Sequence, residues 1–167
     1  METGPRGPVF SRIFHEMKTM QIKPMVVADY GALRALYLLS RRSTFVWLAP
    51  ESFRLADFDA DVAGERVWVA HVDGHVAGFA SVWARENFLH TLFVHPDFLR
   101  RGIGSALLSA CLATRVANAD SPPGMTLKCL AENHRALDFY AVHGWTRAGQ
   151  GSSPEGDYFL LRFEPGA

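Results

Sequence analysis

Short apolar runs alternate with segments of helical spacing along most of the chain. The run MQIKPM, residues 20–25, predicts a first strand. Residues 26–42 repeat apolar side chains every three or four positions and predict a helix, and a second helix is predicted over residues 50–63. The first third of the chain is therefore expected to form a strand followed by two helices.

The middle of the chain carries a hairpin signal. The apolar runs RVWVAHV and HVAGFASVW flank Asp73 and Gly74. An Asp-Gly pair tolerates positive φ at both central positions of a tight turn. The two runs are therefore predicted to pair as antiparallel strands.

The remaining pattern alternates strands and helices. FLHTLFV lacks polar alternation, as expected of a strand covered on both faces. An amphipathic helix beginning near Ile103, the strand MTLKCL, the helix NHRALDFYAVHG and two strands near WTRAG and DYFLLRF complete the chain. This order predicts an α/β fold with a mixed central sheet of about seven strands and about four helices.

Composition excludes several classes of protein. Among 167 residues, 17 basic side chains balance 17 acidic ones, so no global positive field favours nucleic acid or anionic lipid. The apolar runs are too short to cross a bilayer. Cys111 and Cys129 form neither a metal-ligand spacing nor a disulfide framework, which suits a reducing compartment. We expect a cytoplasmic protein without a metal site, a nucleic-acid partner or a membrane partner.

The chain is expected to hold one domain over residues 20–165. Residues 1–19 have a mixed Gly and Pro composition and no continuous apolar signal region, so we expect this N-terminal extension to lie outside the core. Met17 and Met20 leave open where the native chain starts.

One joint between a strand and a helix carries unusual residues, in the stretch HPDFLRRGIGSALL. Backbone N–H groups at a helix start lack partners and can hold an anion. Gly102 and Gly104 remove Cβ atoms there, and Arg100 and Arg101 add positive charge. The joint predicts a phosphate site, although the same glycines could serve turn geometry alone and the arginines could be a solvated loop.

A second cluster, AENHRALDFYAVHGW, places Asn133 and Tyr140 seven residues apart on one helix face. Together, LFVHPDFLRRGIG and NHRALDFYAVHGW resemble the two motifs of the GNAT superfamily of acetyl-CoA-dependent N-acetyltransferases. The order of elements from residue 20 to residue 163 is also similar to that family. The resemblance implies a GNAT-type fold, acetyl-CoA as the cofactor and acetyl transfer to a primary amine of a small molecule, amino acid or peptide.

The resemblance also implies roles for individual positions. Asn133 would bond the pantetheine arm, and Tyr140 would give a proton to the departing thiolate. Without the motif, Tyr140 would be interpreted as core packing and Asn133 as a helix cap. The residues implied to contact the cofactor are Leu92, Phe93, Val94, Leu99, Arg100, Arg101, Gly102, Ile103, Gly104, Ser105, Asn133 and Tyr140.

Two departures from the family pattern affect the chemistry. Leu99 replaces a Gln or Arg beside the phosphates, which we expect to weaken binding unless Arg100 or Arg101 compensates. Lys128 stands where some members carry the glutamate base. His90 and Glu86 remain candidate bases, acting directly or through water.

Cys129 has no sequence neighbour that would activate a thiol, so we expect direct transfer in a ternary complex rather than through a covalent acetyl-cysteine. A non-catalytic acyl-CoA-binding regulatory module and a protein N-terminal acetyltransferase remain the alternative functions. Exposed late strands also make a homodimer an expectation.

The amine acceptor is expected between the segment RRSTFVWLAPESF, residues 41–53, and the region from Trp83 to His90. Aromatic residues at such junctions also plug cores, and Arg41 and Arg42 either bind an acidic acceptor or complement the helix dipole. The predicted substrate-binding residues are Phe45, Trp47, Trp83 and Phe88.

Overall fold

The structure is a computed structural model that describes residues 19–115 and 124–166. The predicted N-terminal extension over residues 1–19 lies outside the described residues except for its last position. The observed order of strands and helices matches the predicted one. The strands are β1 (Met20–Pro24), β2 (Arg66–Val72), β3 (His75–Trp83), β4 (Phe88–Val94), β5 (Met125–Leu130), β6 (Thr146–Ser153) and β7 (Gly156–Phe163). The α-helices are α1 (Tyr30–Thr44), α2 (Asp57–Asp61), α3 (Ile103–Ala113) and α4 (His134–Val142).

The described strands form one seven-stranded sheet in the order β1-β2-β3-β4-β5-β7-β6. Neighbouring strands are antiparallel except β4 and β5, which are parallel. The predicted hairpin is confirmed, because β2 and β3 pair across a turn in which Asp73 and Gly74 have φ values of 50° and 78°. The mixed α/β prediction is therefore confirmed.

The predicted helix over residues 50–63 is wrong in its extent. Pro50–Ser52 form a single 3₁₀ turn, and the α-helix is confined to Asp57–Asp61. Phe53 between them is extended, with φ −94° and ψ 129°. The guanidinium of Arg42 binds the carbonyls of Pro50 and Phe53, so a side chain replaces the hydrogen bonds that a continuous helix would have made.

The sheet is covered on both faces. Ile103, Leu107 and Leu108 of α3 pack with buried residues of β2 to β5 on one face. On the other face, Leu33 of α1 and Phe58 of α2 are completely buried in a separate cluster. The strands between the two layers consequently carry apolar side chains on both sides, as their unbroken sequence pattern predicted.

Candidate functional site

The parallel strands β4 and β5 pair only at their beginnings. Phe88 is opposite Thr126 and Leu89 is opposite Leu127, and no later pair joins these two strands. A cavity of about 670 Å³ lies beyond the last pair. Its wall is formed by Ser40, Ser43, Thr44, Val46, Trp47, Leu92, Phe93, Val94, Pro96, Leu99, Gly104, Glu132, Asn133, His134, Arg135, Ala136, Phe139 and Tyr140. We call this cavity the cleft.

The β4 wall presents backbone to the cleft. A register shift makes His90 an extra residue in β4, since Leu89 pairs with Val82 while Thr91 pairs with Ser81. Beyond this bulge, residues 92–94 pair with β3 on one side and have no strand partner on the β5 side within residues 19–115 and 124–166. Their free backbone edge can bind the amides of an extended ligand.

The loop before α3 lies beside the cleft, which its residues Leu99 and Gly104 line. Arg100 has φ 61° and Gly102 has φ 77°, so two residues have a positive φ just before α3 begins. Among the described residues, no backbone hydrogen bond is donated by the N–H groups of residues 99–105, whereas Ala106 bonds to the carbonyl of Gly102 at 3.0 Å. These free N–H groups at the positive end of α3 can bind an anion.

Glycine is favoured at positions 102 and 104 of this loop for two different reasons. Gly102 lies in open space, and its positive φ favours glycine. A Cβ on Gly104 would lie 3.4 Å from the Phe139 ring and 3.8 Å from Val94, so glycine allows α3 to approach α4 closely. Both glycines therefore have a structural role beside the predicted phosphate role.

Only part of the predicted phosphate group lines the cleft. Leu99 and Gly104 do, while Arg100, Arg101, Gly102, Ile103 and Ser105 are absent from its wall. The guanidinium of Arg101 stacks over Phe98 at 5.3 Å. The Oγ of Ser105 lies 2.8 Å from Nε2 of His143, whose Nδ1 donates to the carbonyl of Phe139 at 2.7 Å. This polar link joins the start of α3 to the end of α4.

The start of α4 forms a third side of the cleft. The Asn133 Oδ1 accepts a hydrogen bond from the Ala136 N–H at 3.3 Å, so this side chain caps the helix, as the local sequence allowed. Asn133 also lines the cleft together with Tyr140, which lies about two helical turns further along the same face of α4. The predicted placement of these two residues on one side of α4 therefore agrees with the structure.

Tyr140 is 7% exposed, and its ring packs edge-on against Phe139 and Trp145. Burial raises the pKa of its hydroxyl well above 10.0, and the thiols of Cys129 and Cys111 add to the shift. Among the described residues, its hydroxyl has no hydrogen-bond partner. Tyr140 is thus a neutral hydroxyl that can donate its proton to a bound group.

The cysteines have the environment of structural residues. Both are buried and free, and burial raises the pKa of Cys129 to about 11 and that of Cys111 to about 12. A thiol with such a pKa contains almost no thiolate at neutral pH.

Neither predicted base lies in the cleft wall. The Nδ1 of His90 lies 2.6 Å from the buried Glu65 carboxylate, which sequence analysis did not select. Glu86 belongs to the 3₁₀ turn Ala84–Glu86, before β4. Trp83 and Phe88 pair across the same end of the sheet, away from the cleft residues 92–94. These four residues therefore form a separate group from the predicted cofactor residues.

The predicted aromatic wall is divided between cleft and core. Trp47 is 38% exposed and lines the cleft, and its Nε1 donates to the carbonyl of Glu155 at 3.4 Å. Phe45 does not line it, and its ring contacts Trp47, Phe53 and Phe93. Phe45 consequently supports the wall from behind.

Arg41 does not face the cleft as a free cation. It is 7% exposed and forms an ion pair of 3.0 Å with Asp57. Arg42 binds the carbonyls of Pro50 and Phe53. The hypothesis that these arginines bind an acidic acceptor therefore receives no support, since their donors serve the protein itself.

Sequence analysis missed several cleft residues. The hydroxyl residues Ser40, Ser43 and Thr44 come from the last turns of α1, and no local pattern assigns them to a cleft. Glu132, His134 and Arg135 surround Asn133, and their adjacency to that motif residue was the available signal.

Comparison with known proteins identifies this arrangement. A model of the acetyltransferase (GNAT) family matches residues 33–145, which include β4, the α3 loop and α4. The chain belongs to this acetyltransferase family. The predicted GNAT membership is therefore confirmed, and acetyl-CoA is the cofactor of the family.

Among curated proteins, the GNAT chain is similar to the peptidyl-lysine N-acetyltransferase YiaC of Escherichia coli K12, with 33% identity over 87 residues. This match covers 52% of the chain and 54% of YiaC, so the chain spans about half the length of this relative.

Solved structures share the GNAT fold. A GCN5-related N-acetyltransferase from Rhodopseudomonas palustris has 20% identity and a TM-score of 0.73, over 89% of this chain and 97% of that one. The PaiA N-acetyltransferase from Thermoplasma acidophilum, solved with coenzyme A, has 15% identity and a TM-score of 0.68, over 87% and 99%. The predicted fold is confirmed. No helix in the described part of the chain is long and apolar enough to span a membrane.

Proposed function

We propose that this GNAT protein transfers an acetyl group from acetyl-CoA to a primary amine of a small molecule, amino acid or peptide, by direct transfer in a ternary complex. The observation that carries the proposal is the cleft itself. It brings together the free edge of β4, the start of α3, and Asn133 and Tyr140 of α4. The similarity to YiaC makes a lysine side chain within a peptide the first acceptor to test.

The donors of the cleft fit the chemistry of acetyl-CoA. The pyrophosphate needs several N–H donors, which the loop over residues 99–105 offers. The pantetheine arm carries amides that can pair with the edge of residues 92–94 and with the Asn133 side chain. Leu99 offers no charge, so backbone groups would carry the phosphate contacts.

Acetyl-CoA, when bound, supplies a thioester whose carbonyl carbon accepts the amine nitrogen. Backbone N–H groups of residues 92–94 would stabilise the charge that develops on the carbonyl oxygen. The Tyr140 hydroxyl would donate its proton to the sulfur as the carbon–sulfur bond breaks. The Tyr140 hydroxyl is protonated at neutral pH even at its ordinary pKa of 10.0, and burial raises that pKa further, so the proton is present but the hydroxyl is a weaker acid than an exposed tyrosine.

The proton lost by the amine needs an acceptor. His90 and Glu86 remain the candidates, and a water molecule would have to connect either of them to the cleft, since neither lines it. We propose separate roles for the phosphate loop, for Asn133 and for Tyr140, and single mutations can test each of them. The proposed domain boundaries of 20–165 can be tested by truncation.

The first experiment measures thermal unfolding with and without saturating acetyl-CoA in the wild type and in Gly104→Glu. Specific binding to the native state raises the midpoint, and the new carboxylate in the cleft should abolish this rise. Gly31→Glu is the matched control, because Gly31 lies on α1 with open space around it. A wild-type midpoint that acetyl-CoA leaves unchanged would refute the proposed cleft.

The second experiment offers two peptides, one with a single free lysine and a blocked N-terminus and one with only a free N-terminus. Mass spectrometry detects the added acetyl group, and thiol release measures turnover. Acetylation of the lysine peptide would support the proposed acceptor, while acetylation of the other would indicate an N-terminal acetyltransferase. Cofactor binding without turnover on either peptide or an amine library would indicate the regulatory module.

A further inference from the structure

Two consecutive arginines at the end of α1 hold a segment that has little regular structure. The Arg41 guanidinium donates to Asp57 at 3.0 Å and to the carbonyls of Arg54 and Tyr37 at 3.1 Å and 3.3 Å. It also lies over the rings of Tyr37 at 3.8 Å and Phe53 at 4.9 Å. A buried guanidinium with this many partners is fixed in one geometry.

Arg42 makes the second half of the contact. Its Nε and Nη2 donate to the carbonyls of Pro50 and Phe53, each at 3.1 Å. Asp57 completes the arrangement by accepting the Arg54 N–H at 2.8 Å. That N–H, together with Arg41, holds the pKa of Asp57 below its ordinary value. The arginines thus bind three carbonyls and one carboxylate between residues 50 and 57.

These contacts join the end of α1 to residues 45–56, which we call the acceptor-side segment. Val46 and Trp47 of this segment line the cleft opposite α4. Trp47 also bonds to the carbonyl of Glu155 between β6 and β7. The segment therefore lines one side of the cleft and is joined there to the turn between β6 and β7.

Besides the two arginines, three aromatic side chains hold the segment: the Phe45 ring contacts Phe93 of β4, Phe53 is buried, and Trp47 bonds to Glu155. The segment's own backbone hydrogen bonds span three residues each, from Leu48 to Phe45, Ser52 to Ala49 and Phe53 to Pro50. Ordering backbone costs about 1–2 kcal/mol per residue, so a segment with only local bonds stays mobile unless side chains hold it.

We propose that Arg41 and Arg42 are positioning residues that preorganise the acceptor-side segment, so that they determine how tightly the amine acceptor binds without contributing to acetyl-CoA binding. The proposal rests on the proposed function in one respect, namely that the acceptor meets this wall. In this proposal the two arginines affect acceptor binding by holding the segment in place, and they do not contact the acceptor themselves.

The test combines hydrogen exchange with steady-state kinetics in Arg42→Met, Arg41→Met and Arg41→Lys. Arg42 is exposed at the protein surface, so Arg42→Met is expected to fold even where loss of the buried Arg41 group prevents folding. Arg34→Met is the matched control, because Arg34 is also on α1 but pairs with Asp59 of α2 and does not contact the segment.

In Arg42→Met, exchange of the Ser52 and Phe53 amides should accelerate at least about 10-fold in the free protein. The KM for the lysine peptide should rise at least about 5-fold, while kcat and the KM for acetyl-CoA stay within about 2-fold. Arg41→Lys should show nearly the same exchange rates and KM values as Arg41→Met, since an ammonium cannot reach the same set of acceptors. Arg34→Met should leave both readouts unchanged.

Unchanged exchange in Arg42→Met would overturn the proposal, as would a parallel rise in both KM values. The exchange measurement needs no acceptor, so it stands if the wild type acetylates neither peptide. Absence of turnover in the wild type would therefore count against the proposed function alone.

Discussion

Replacing Tyr140 by Phe should separate catalysis from stability. The Tyr140 ring fills the space between Phe139 and Trp145, and Phe keeps those contacts. The hydroxyl has no hydrogen-bond partner among the described residues, so its removal breaks no internal bond. Tyr140→Phe should therefore fold with a free energy of unfolding within about 0.5 kcal/mol of the wild type.

The effect on the reaction should be far larger. Loss of a positioned proton donor lowers kcat by about 10²-fold or more. That factor corresponds to about 2.7 kcal/mol of transition-state stabilisation. Acetyl-CoA binding should persist, because backbone groups and Asn133 are expected to carry it.

The assay measures kcat by thiol release and acetylated peptide, and the midpoint of thermal unfolding with and without acetyl-CoA. Tyr37→Phe is the matched control, since the Tyr37 hydroxyl donates to Asp61 at 2.5 Å and lies outside the cleft. Removing that bond should lower stability by about 1 kcal/mol and leave kcat nearly unchanged. The two variants should thus show opposite patterns.

A Tyr140→Phe enzyme with wild-type kcat would refute the proton-donor role. Loss of the acetyl-CoA shift in the same variant would indicate that the hydroxyl binds the cofactor instead of serving the chemical step. A large loss of stability would mean that the hydroxyl has an internal hydrogen-bond partner, contrary to its position in the structure.

Two further predictions concern the core and the thiols. Gly78→Ala should lower the free energy of unfolding by about 1–3 kcal/mol, measured by urea titration, because the new Cβ would lie 2.8 Å from the Phe93 carbonyl oxygen and 3.2 Å from Leu107; an unchanged midpoint would contradict that close approach. Cys129 should react slowly with a disulfide reagent at pH 7.5, because burial raises its pKa to about 11, and Cys129→Ser should retain turnover. A trapped acetyl-Cys129 would overturn direct transfer.

The fold could be predicted from sequence because its signals are local. The Asp73-Gly74 turn, the apolar run of β4 and the amphipathic pattern of α3 each specify an element without distant contacts. The helix over residues 50–63 failed for the opposite reason. The predicted helix is interrupted where Arg42 binds carbonyls eight and eleven residues away. The periodicity of residues 50–63 contains no information about that distant side chain.

The residues of the site also fall into two groups, those that a local motif indicates and those that only the tertiary fold brings together. Asn133 and Tyr140 could be placed side by side from the sequence because they share a short motif on one helix, and both line the cleft. The Glu65 partner of His90 lies 25 residues earlier, and the role of Arg41 depends on Asp57 16 residues later. Pairings of this kind are set by the tertiary fold, so sequence analysis could list the charged residues but could not join them.

The strand that contributes most to the proposed cofactor site looks like an ordinary core strand. Leu92 and Val94 pack toward α3 and α4, and Phe93 packs toward α1, so both faces serve the core. What distinguishes this strand is its backbone edge, which is free only because pairing with β5 stops after Leu89. A site that binds its ligand through main-chain groups needs no polar side chain, so no residue type in the sequence marks it. The family resemblance therefore implied a cofactor role for residues 92–94, whereas the reason that their edge is free, the end of the parallel pairing after Leu89, needed the structure.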